Sequence, residues 1–509
     1  MGAIIPLSFS ILLLLAVSNP TLASKDCDFP AIFNLGASNS DTGGLSASFT
    51  PVPWPYGISY FHMQGGRYSD GRLIIDFIAN SLGLPFIHPY LDSIRANFSH
   101  GANFATAGST IRRPNTTIFQ SGLSPFSLDV QLGQFNQFKK RSQWAYNREG
   151  VFTELLPKGD FFSRALYTFD IGQNDITADY YLNMTAAQVS ATLTAILDKF
   201  AAVLKDVYEQ GGRSFWIHNT GPLGCLAFVL DPRNFTKDQL DQVGCAIPLN
   251  ELAQNFNKRL NQTVVQLRKD LPLAAFTYVD VYSAKYNLFK QPEKYGFEHP
   301  LMVCCGTGGK YNFNGNARCG DFIVVNGIET IVGACKDPSA RINWDGVHYT
   351  DAANEWVFKQ IADGAFSNPP IPLRMACHKE INHSTPAIRR HLRLVQPRAC
   401  EPSPISPPSP ISLTHPSPSP LSAENPRSPS LSIPPSPSLS PLRRAAPAEH
   451  QPRRTLHIPH LCTSLVSFGI SLTLTVSLAS TSSPSLSRSR THTLREIPEE
   501  SEAQTVTLK

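Results

Sequence analysis

Through residue 378 this chain alternates short, nearly unbroken apolar runs with long amphipathic stretches, and no other feature restricts its fold as much. Residues 31–35 read as a strand, ended by Gly36. Residues 72–82 read as a helix with Leu73, Ile74, Phe77 and Ile78 on one face and Gly83 as its stop. Residues 165–171 form the next apolar run, and 186–209 a long amphipathic helix closed by Gly211-Gly212. A strand over 214–218, a turn at Gly221-Pro222, a helix over 250–271 and a strand over 275–281 follow. A last helix starts near Thr350, which serves as its N-cap. Strands that are apolar on both faces must be covered on both faces. Strand–helix alternation therefore predicts an α/β fold: a three-layer α/β/α sandwich with a mainly parallel central sheet, from about Cys27 to Cys377. In such sheets ligands bind beyond the carboxyl ends of the strands.

The flanks read differently. Residues 11–17 are an unbroken apolar run, and Leu22-Ala23-Ser24 offers small residues for cleavage, so residues 1–24 are expected to be a secretory signal peptide. The run is shorter than the roughly 20 apolar residues a membrane span needs. Residues 401–442 are dominated by Pro and Ser and cannot bury enough surface to fold, so 379–509 is expected to be a disordered, low-complexity tail. Residues 461–479 are apolar but diluted by Ser and Thr, and no stable membrane span is expected. The tail from Lys379 holds 14 Lys and Arg against 8 Asp and Glu, which accounts for the whole net charge of +5. The body is thus near neutral and lacks the basic surface that nucleic-acid binding requires.

Secretion agrees with Asn-x-Ser/Thr sequons at Asn97, Asn115, Asn183, Asn234, Asn261 and Asn382 and with ten cysteines. The adjacent Cys304-Cys305 and the distant Cys225 and Cys245 do not make a zinc pattern. Disulfides are expected among Cys225, Cys245, Cys304, Cys305, Cys319 and Cys335, with connectivity open.

Four short segments carry chemistry. Ser38 follows a strand, in a turn bounded by Gly36 and Gly43-Gly44 that would raise its hydroxyl above the sheet. A serine hydroxyl is a poor nucleophile until a base takes its proton. Ser40 or Asp41 would equally serve as a plain helix cap there, and the Gly-x-Ser-x-Gly elbow is absent. His348 is the base candidate. Asp345 precedes it across Gly346, close enough to hold Nδ1 and leave Nε2 toward a nucleophile. Acyl transfer also needs donors for the oxyanion. The backbone N–H of Ser38, the backbone N–H of Gly108 and the side-chain amide of Asn174 fill that role. No second ligand stands at metal spacing near His348, so no metal is expected.

These segments resemble the plant GDSL-type esterase/lipases of the SGNH hydrolase superfamily, closest to early-nodulin-like members. The likeness runs from about Phe29 to Cys377, through Phe29–Asn34 with the Ser38 turn, Asn103–Gly108, Gly172–Asp175, Gly221–Cys225 and Asn343–Tyr349. It implies a flavodoxin-like α/β/α fold and no cofactor. By position it implies Ser38 as nucleophile, His348 as base, Asp345 as its orienting acid, and Gly108 and Asn174 as oxyanion donors. It further implies a secreted, extracellular enzyme of the apoplast or cell wall, acting on a small-molecule, lipid or cell-wall ester.

Three readings follow. One is a serine ester hydrolase, one an acyltransferase using the same acyl-enzyme, and one a catalytically silent secreted glycoprotein. A glycosidase would need two carboxylates flanking the bond, and these motifs assemble only Asp345. The family usually has Asp directly before the nucleophile, where this chain has Ala37. The absent carboxylate would brace the turn, so an active but weakened enzyme is expected. Ala37→Asp should raise turnover on a simple ester; unchanged turnover with a higher melting temperature would make position 37 structural only.

Overall fold

The computed structural model describes residues 26–114, 124–148, 153–182 and 184–378. The expected signal peptide and tail, the stretch 461–479, and the sequons at Asn115, Asn183 and Asn382 lie outside the described residues.

Among the described residues, the central sheet takes β1 (Ile32–Gly36), β2 (Gly101–Asn103), β3 (Leu166–Asp170), β4 (Ser214–His218), β5 (Ala275–Val279) and β8 (Ser367–Asn368). Its order is β2-β1-β3-β4-β5-β8, parallel except for β8. The first five follow the flavodoxin-like order, with its switch point between β1 and β3. A separate hairpin joins β6 (Phe322–Val325) to β7 (Ile328–Ile331).

Among the described residues, the seven longer helices are α1 (Ile74–Ser81), α2 (Leu128–Tyr146), α3 (Gln173–Tyr181), α4 (Ala186–Glu209), α5 (Ile247–Asp270), α6 (Val281–Lys290) and α7 (Asp351–Ile361). Strand alternation assigns them to layers. Phe33, Leu35, Tyr167, Phe169, Phe215, Ile217 and Phe276 pack with α2, α4 and α5. Ile32, Leu166, Trp216 and Val279 pack with α1, α6 and α7 on the other face. Phe33 stacks on Phe162 at 4.9 Å between ring centroids and meets Phe135 and Phe138 edge-on. Full burial of such a ring stabilises by about 2–3 kcal/mol.

The helix expected over 186–209 has those bounds, and Thr185 caps it. It is long and apolar enough to cross a membrane by composition. Its Val189, Leu193, Ile196, Phe200, Val203 and Val207 stripe is buried in the core instead. α5 begins earlier than expected, because Pro248 suits a first turn. The strand expected through 281 stops at Val279, because Asp280 turns to cap α6, accepting the Ser283 N–H at 3.0 Å. The apolar pattern did not reveal β2, β8, α2, α3, α6 or the hairpin.

The six cysteines expected to pair do so among themselves, as Cys225–Cys245, Cys304–Cys335 and Cys305–Cys319. A fourth bond, Cys27–Cys377, was not foreseen; it closes a separation of 350 residues. It lies near the start of β4, where the His378 N–H donates to Ser214 Oγ at 3.1 Å. Chain entropy gives so long a loop a stabilisation on the order of 5 kcal/mol. Replacing both cysteines with Ser should lower the denaturant midpoint. Ester turnover at 25 °C should persist, because this bond sits at the amino ends of the strands and the chemistry is expected at the other. Loss of turnover in the folded variant would contradict that separation.

Candidate active site

The Ser38 turn leaves β1 at the sheet's switch point. A side chain at Gly36 would strike Ser40 Oγ at 2.3 Å and the Asp170 carbonyl at 2.9 Å, so only glycine fits. Gln131 of α2 holds this residue at both ends. Its Oε1 accepts the Gly36 N–H at 2.9 Å, and its Nε2 donates to the Gly36 carbonyl at 2.8 Å. The Asp41 carboxylate accepts four N–H groups: Gly43 at 2.8 Å, Gly44 at 2.5 Å, Leu45 at 3.2 Å and Ala107 at 2.7 Å. Burial pushes Asp41 above its ordinary pKa despite these donors.

Ala107 belongs to the second segment, which the same turn holds at other points. Asn103 Nδ2 donates to the Ser40 carbonyl at 2.7 Å and to Thr42 Oγ1 at 2.9 Å. Gly108 follows with φ +76°. Neither the Ser38 nor the Gly108 N–H donates to another described residue.

The third segment opens α3. Gly172 precedes it with φ +121°, and a Cβ there would strike Phe256 at 2.5 Å. Asn174 donates one amide N–H to the Ser109 carbonyl at 2.8 Å, which sets it beside Gly108. Asp175, fully buried, accepts the Ile111 N–H at 2.8 Å and the Arg112 N–H at 3.0 Å. Burial pushes its pKa up to about 6, with those N–H groups and the Arg112 charge opposing. Neither role for Asp175 was read from sequence, although it stands in the quoted segment.

In the fourth segment, Asp345 Oδ2 lies 2.7 Å from His348 Nδ1. Oδ1 accepts the backbone N–H of Val347 at 2.9 Å and of His348 at 2.8 Å. Gly346 permits the turn with φ +95°. Burial raises the Asp345 pKa, but the His348 charge and these hydrogen bonds outweigh it and bring it to about 2. His348 Nε2 is buried and has no hydrogen-bond partner among the described residues. Disulfide-bonded neighbours brace this loop: Cys305 N–H donates to the Trp344 carbonyl at 2.7 Å, and Trp344 N–H to the His348 carbonyl at 2.8 Å.

Two tyrosines here were missed from sequence. Tyr56 donates to Asp345 Oδ2 at 2.8 Å, and the Tyr68 ring lies 5.1 Å from the His348 ring. Burial raises the Tyr68 pKa, and the carboxylates of Asp41 and Asp345 add to it. Tyr68 therefore lies within the field of both the Ser38 turn and the His348 loop. Residues 50–70 carry no periodic pattern, so only the tyrosines themselves could have signalled this.

The structure thus pairs Asp345 with His348 and sets Asn174 beside Gly108. It joins the Ser38 turn to the Gly108 segment through Asp41. No hydrogen bond links Ser38 to His348. Among the described residues no cluster of three or more His, Cys, Asp or Glu is arranged to hold a metal.

The doubly wound sheet sets the Ser38 and Asn174 segments at its switch point, and comparison with known proteins specifies the chemistry. A GDSL-like lipase/acylhydrolase family model matches residues 32–361, and the chain belongs to that family of ester-bond hydrolases. It is 57% identical over 368 residues to a GDSL esterase/lipase of Arabidopsis thaliana, covering 72% of this chain and 97% of that protein. It is 51% identical over 376 residues to GDSL esterase/lipase ENOD8 of Medicago truncatula, covering 74% and 97%. It is 53% identical over 365 residues to alpha-L-fucosidase 3 of Arabidopsis thaliana, covering 72% and 98%.

The depressed pKa of Asp345 makes a stability prediction. A carboxylate whose folded pKa lies below its unfolded value stabilises above the unfolded pKa, and loses that contribution as pH falls through the folded one. For Asp345 the window runs from the ordinary 3.8 down to about 2. Between pH 4 and pH 2 the wild type should lose about 2 kcal/mol more stability than Asp345→Asn. Parallel stability–pH curves from denaturant titrations would refute the pairing's contribution.

Proposed function

We propose that this chain is a secreted serine ester hydrolase that works through an acyl-enzyme. The Asp345–His348 contact carries the reading: it fixes Nδ1 and leaves Nε2 uncommitted, as a general base requires. Ser38 attacks the ester carbonyl while His348 Nε2 takes its proton. The N–H groups of Ser38 and Gly108, with the remaining amide N–H of Asn174, stabilise the oxyanion. His348 then returns the proton to the leaving alcohol. Water, deprotonated in turn by His348, releases the acid and restores Ser38.

Secretion is supported by the pairing of all eight described cysteines, which suits an oxidising compartment. The sequons at Asn97 and Asn234 stand exposed on loops, ready for glycosylation, while Asn261 is half-buried on α5. Although one relative is named a fucosidase, Asp41, Asp175 and Asp345 are each committed to neighbouring donors here, which favours ester over glycoside cleavage. The substrate class is an ester of a small molecule, lipid or cell-wall sugar.

The full chain, expressed by a secretory route, should hydrolyse p-nitrophenyl acetate, and Ser38→Ala should abolish this. Asn174→Ala should lower kcat by about 10²–10³ with the fold intact. Turnover that survives Ser38→Ala would sink the serine mechanism. A well-folded wild type inert across acetyl and longer acyl esters would point to the silent glycoprotein.

A further inference from the structure

The mechanism leaves a second histidine–carboxylate pair unused, buried at the ends of β3 and β4. Asp170 Oδ2 lies 3.1 Å from His218 Nδ1, and the Trp216 indole donates to His218 Nε2 at 3.1 Å. An indole N–H can only donate. His218 Nε2 must therefore carry a lone pair, which puts the proton on Nδ1, pointing at Asp170. Both ring nitrogens are thus engaged.

The other contacts of Asp170 reach the Ser38 turn from both sides. Its backbone carbonyl accepts the Ala37 N–H at 3.0 Å. Its Oδ1 accepts from Asn39 Nδ2 at 3.4 Å. The residues immediately before and after Ser38 thus both hang from one aspartate, whose carboxylate is oriented by His218. Burial works against ionised Asp170, yet His218 and then the charge of buried Lys285 hold its pKa below the ordinary value.

We propose that the Trp216–His218–Asp170 relay is a positioning device for the nucleophile: it fixes the Asp170 carboxylate so that Oδ1 holds Asn39 on one side of Ser38, while the Asp170 backbone carbonyl holds Ala37 on the other. His218 acts through Asp170 and touches no substrate. The relay is the brace that remains where this chain has Ala37. The inference rests on Ser38 being the nucleophile.

The test uses the full chain with two readouts: kcat/KM for p-nitrophenyl acetate, and the rate at which a fluorophosphonate labels Ser38. His218→Leu removes the donor to Asp170 and should lower both by about 10- to 100-fold, the scale of a displaced reacting group, with KM little changed. His218→Asn restores an N–H donor and should recover most of the loss. Trp216→Phe frees the tautomer and should lower labelling by about 3-fold or more. Normal labelling in a folded His218→Leu protein, whatever its melting temperature, overturns the proposal. Should that variant not fold, normal labelling in Trp216→Phe overturns it instead. Ser38→Ala run beside them separates the two levels: turnover that survives it condemns the serine reading itself.

Discussion

The buried Asp41 carboxylate is the interaction on which the site depends. Removing an ionised carboxylate from water is costly unless donors replace the lost hydration. Asp41 gains four, and they come from two places: three from the chain that follows it and one from Ala107. The same charge that caps the short helix Gly44–Ser48 thus ties the Ser38 turn to the Gly108 turn. Satisfying one buried charge sets the geometry between two segments 66 residues apart.

That coupling works because the sheet has already brought the segments together. β1 lies between β2 and β3, paired in parallel with both, so their carboxyl ends emerge side by side. The Ser38 turn follows β1, Gly108 follows β2, and Asn174 follows β3. The His348 loop does not leave a strand of this sheet. It is held by α7 behind it and by disulfide-braced neighbours before it, and by Tyr56 beside it. The proposed site therefore draws on two different scaffolds. The sheet sets Ser38, Gly108 and Asn174, while cross-linked loops set His348.

This division explains what could be read from the sequence. β1, β3, β4 and β5 were legible because burial on both faces leaves them largely apolar, and α4 because its stripe repeats cleanly over 24 residues; β2 and β8, of three and two residues, are too short to show a pattern. α2 escaped notice because it buries only Leu128, Gln131, Phe135, Phe138 and Ser142, two of them polar. α3 escaped because it is short and its first turn is given to Asn174 and Asp175 rather than to packing. The site residues stood out as types at the ends of apolar runs. Their partners did not, because Gln131, Tyr56, Tyr68 and His218 act through tertiary contacts that no local spacing encodes. Cys27–Cys377 was invisible for the same reason.

The two histidine–aspartate pairs show why residue type alone is an insufficient guide. Each has a carboxylate near Nδ1, at 2.7 Å for His348 and 3.1 Å for His218. The difference lies at the other nitrogen. At His218 the Trp216 N–H occupies Nε2, so both ring nitrogens are engaged in buried hydrogen bonds. At His348 no described residue occupies Nε2, and the Tyr68 ring lies beside the imidazole rather than donating to it. On the proposed reading, one donor, present in one place and absent in the other, separates a fixed strut from a free base. A histidine next to an aspartate becomes a candidate base only once its second nitrogen is shown to be uncommitted.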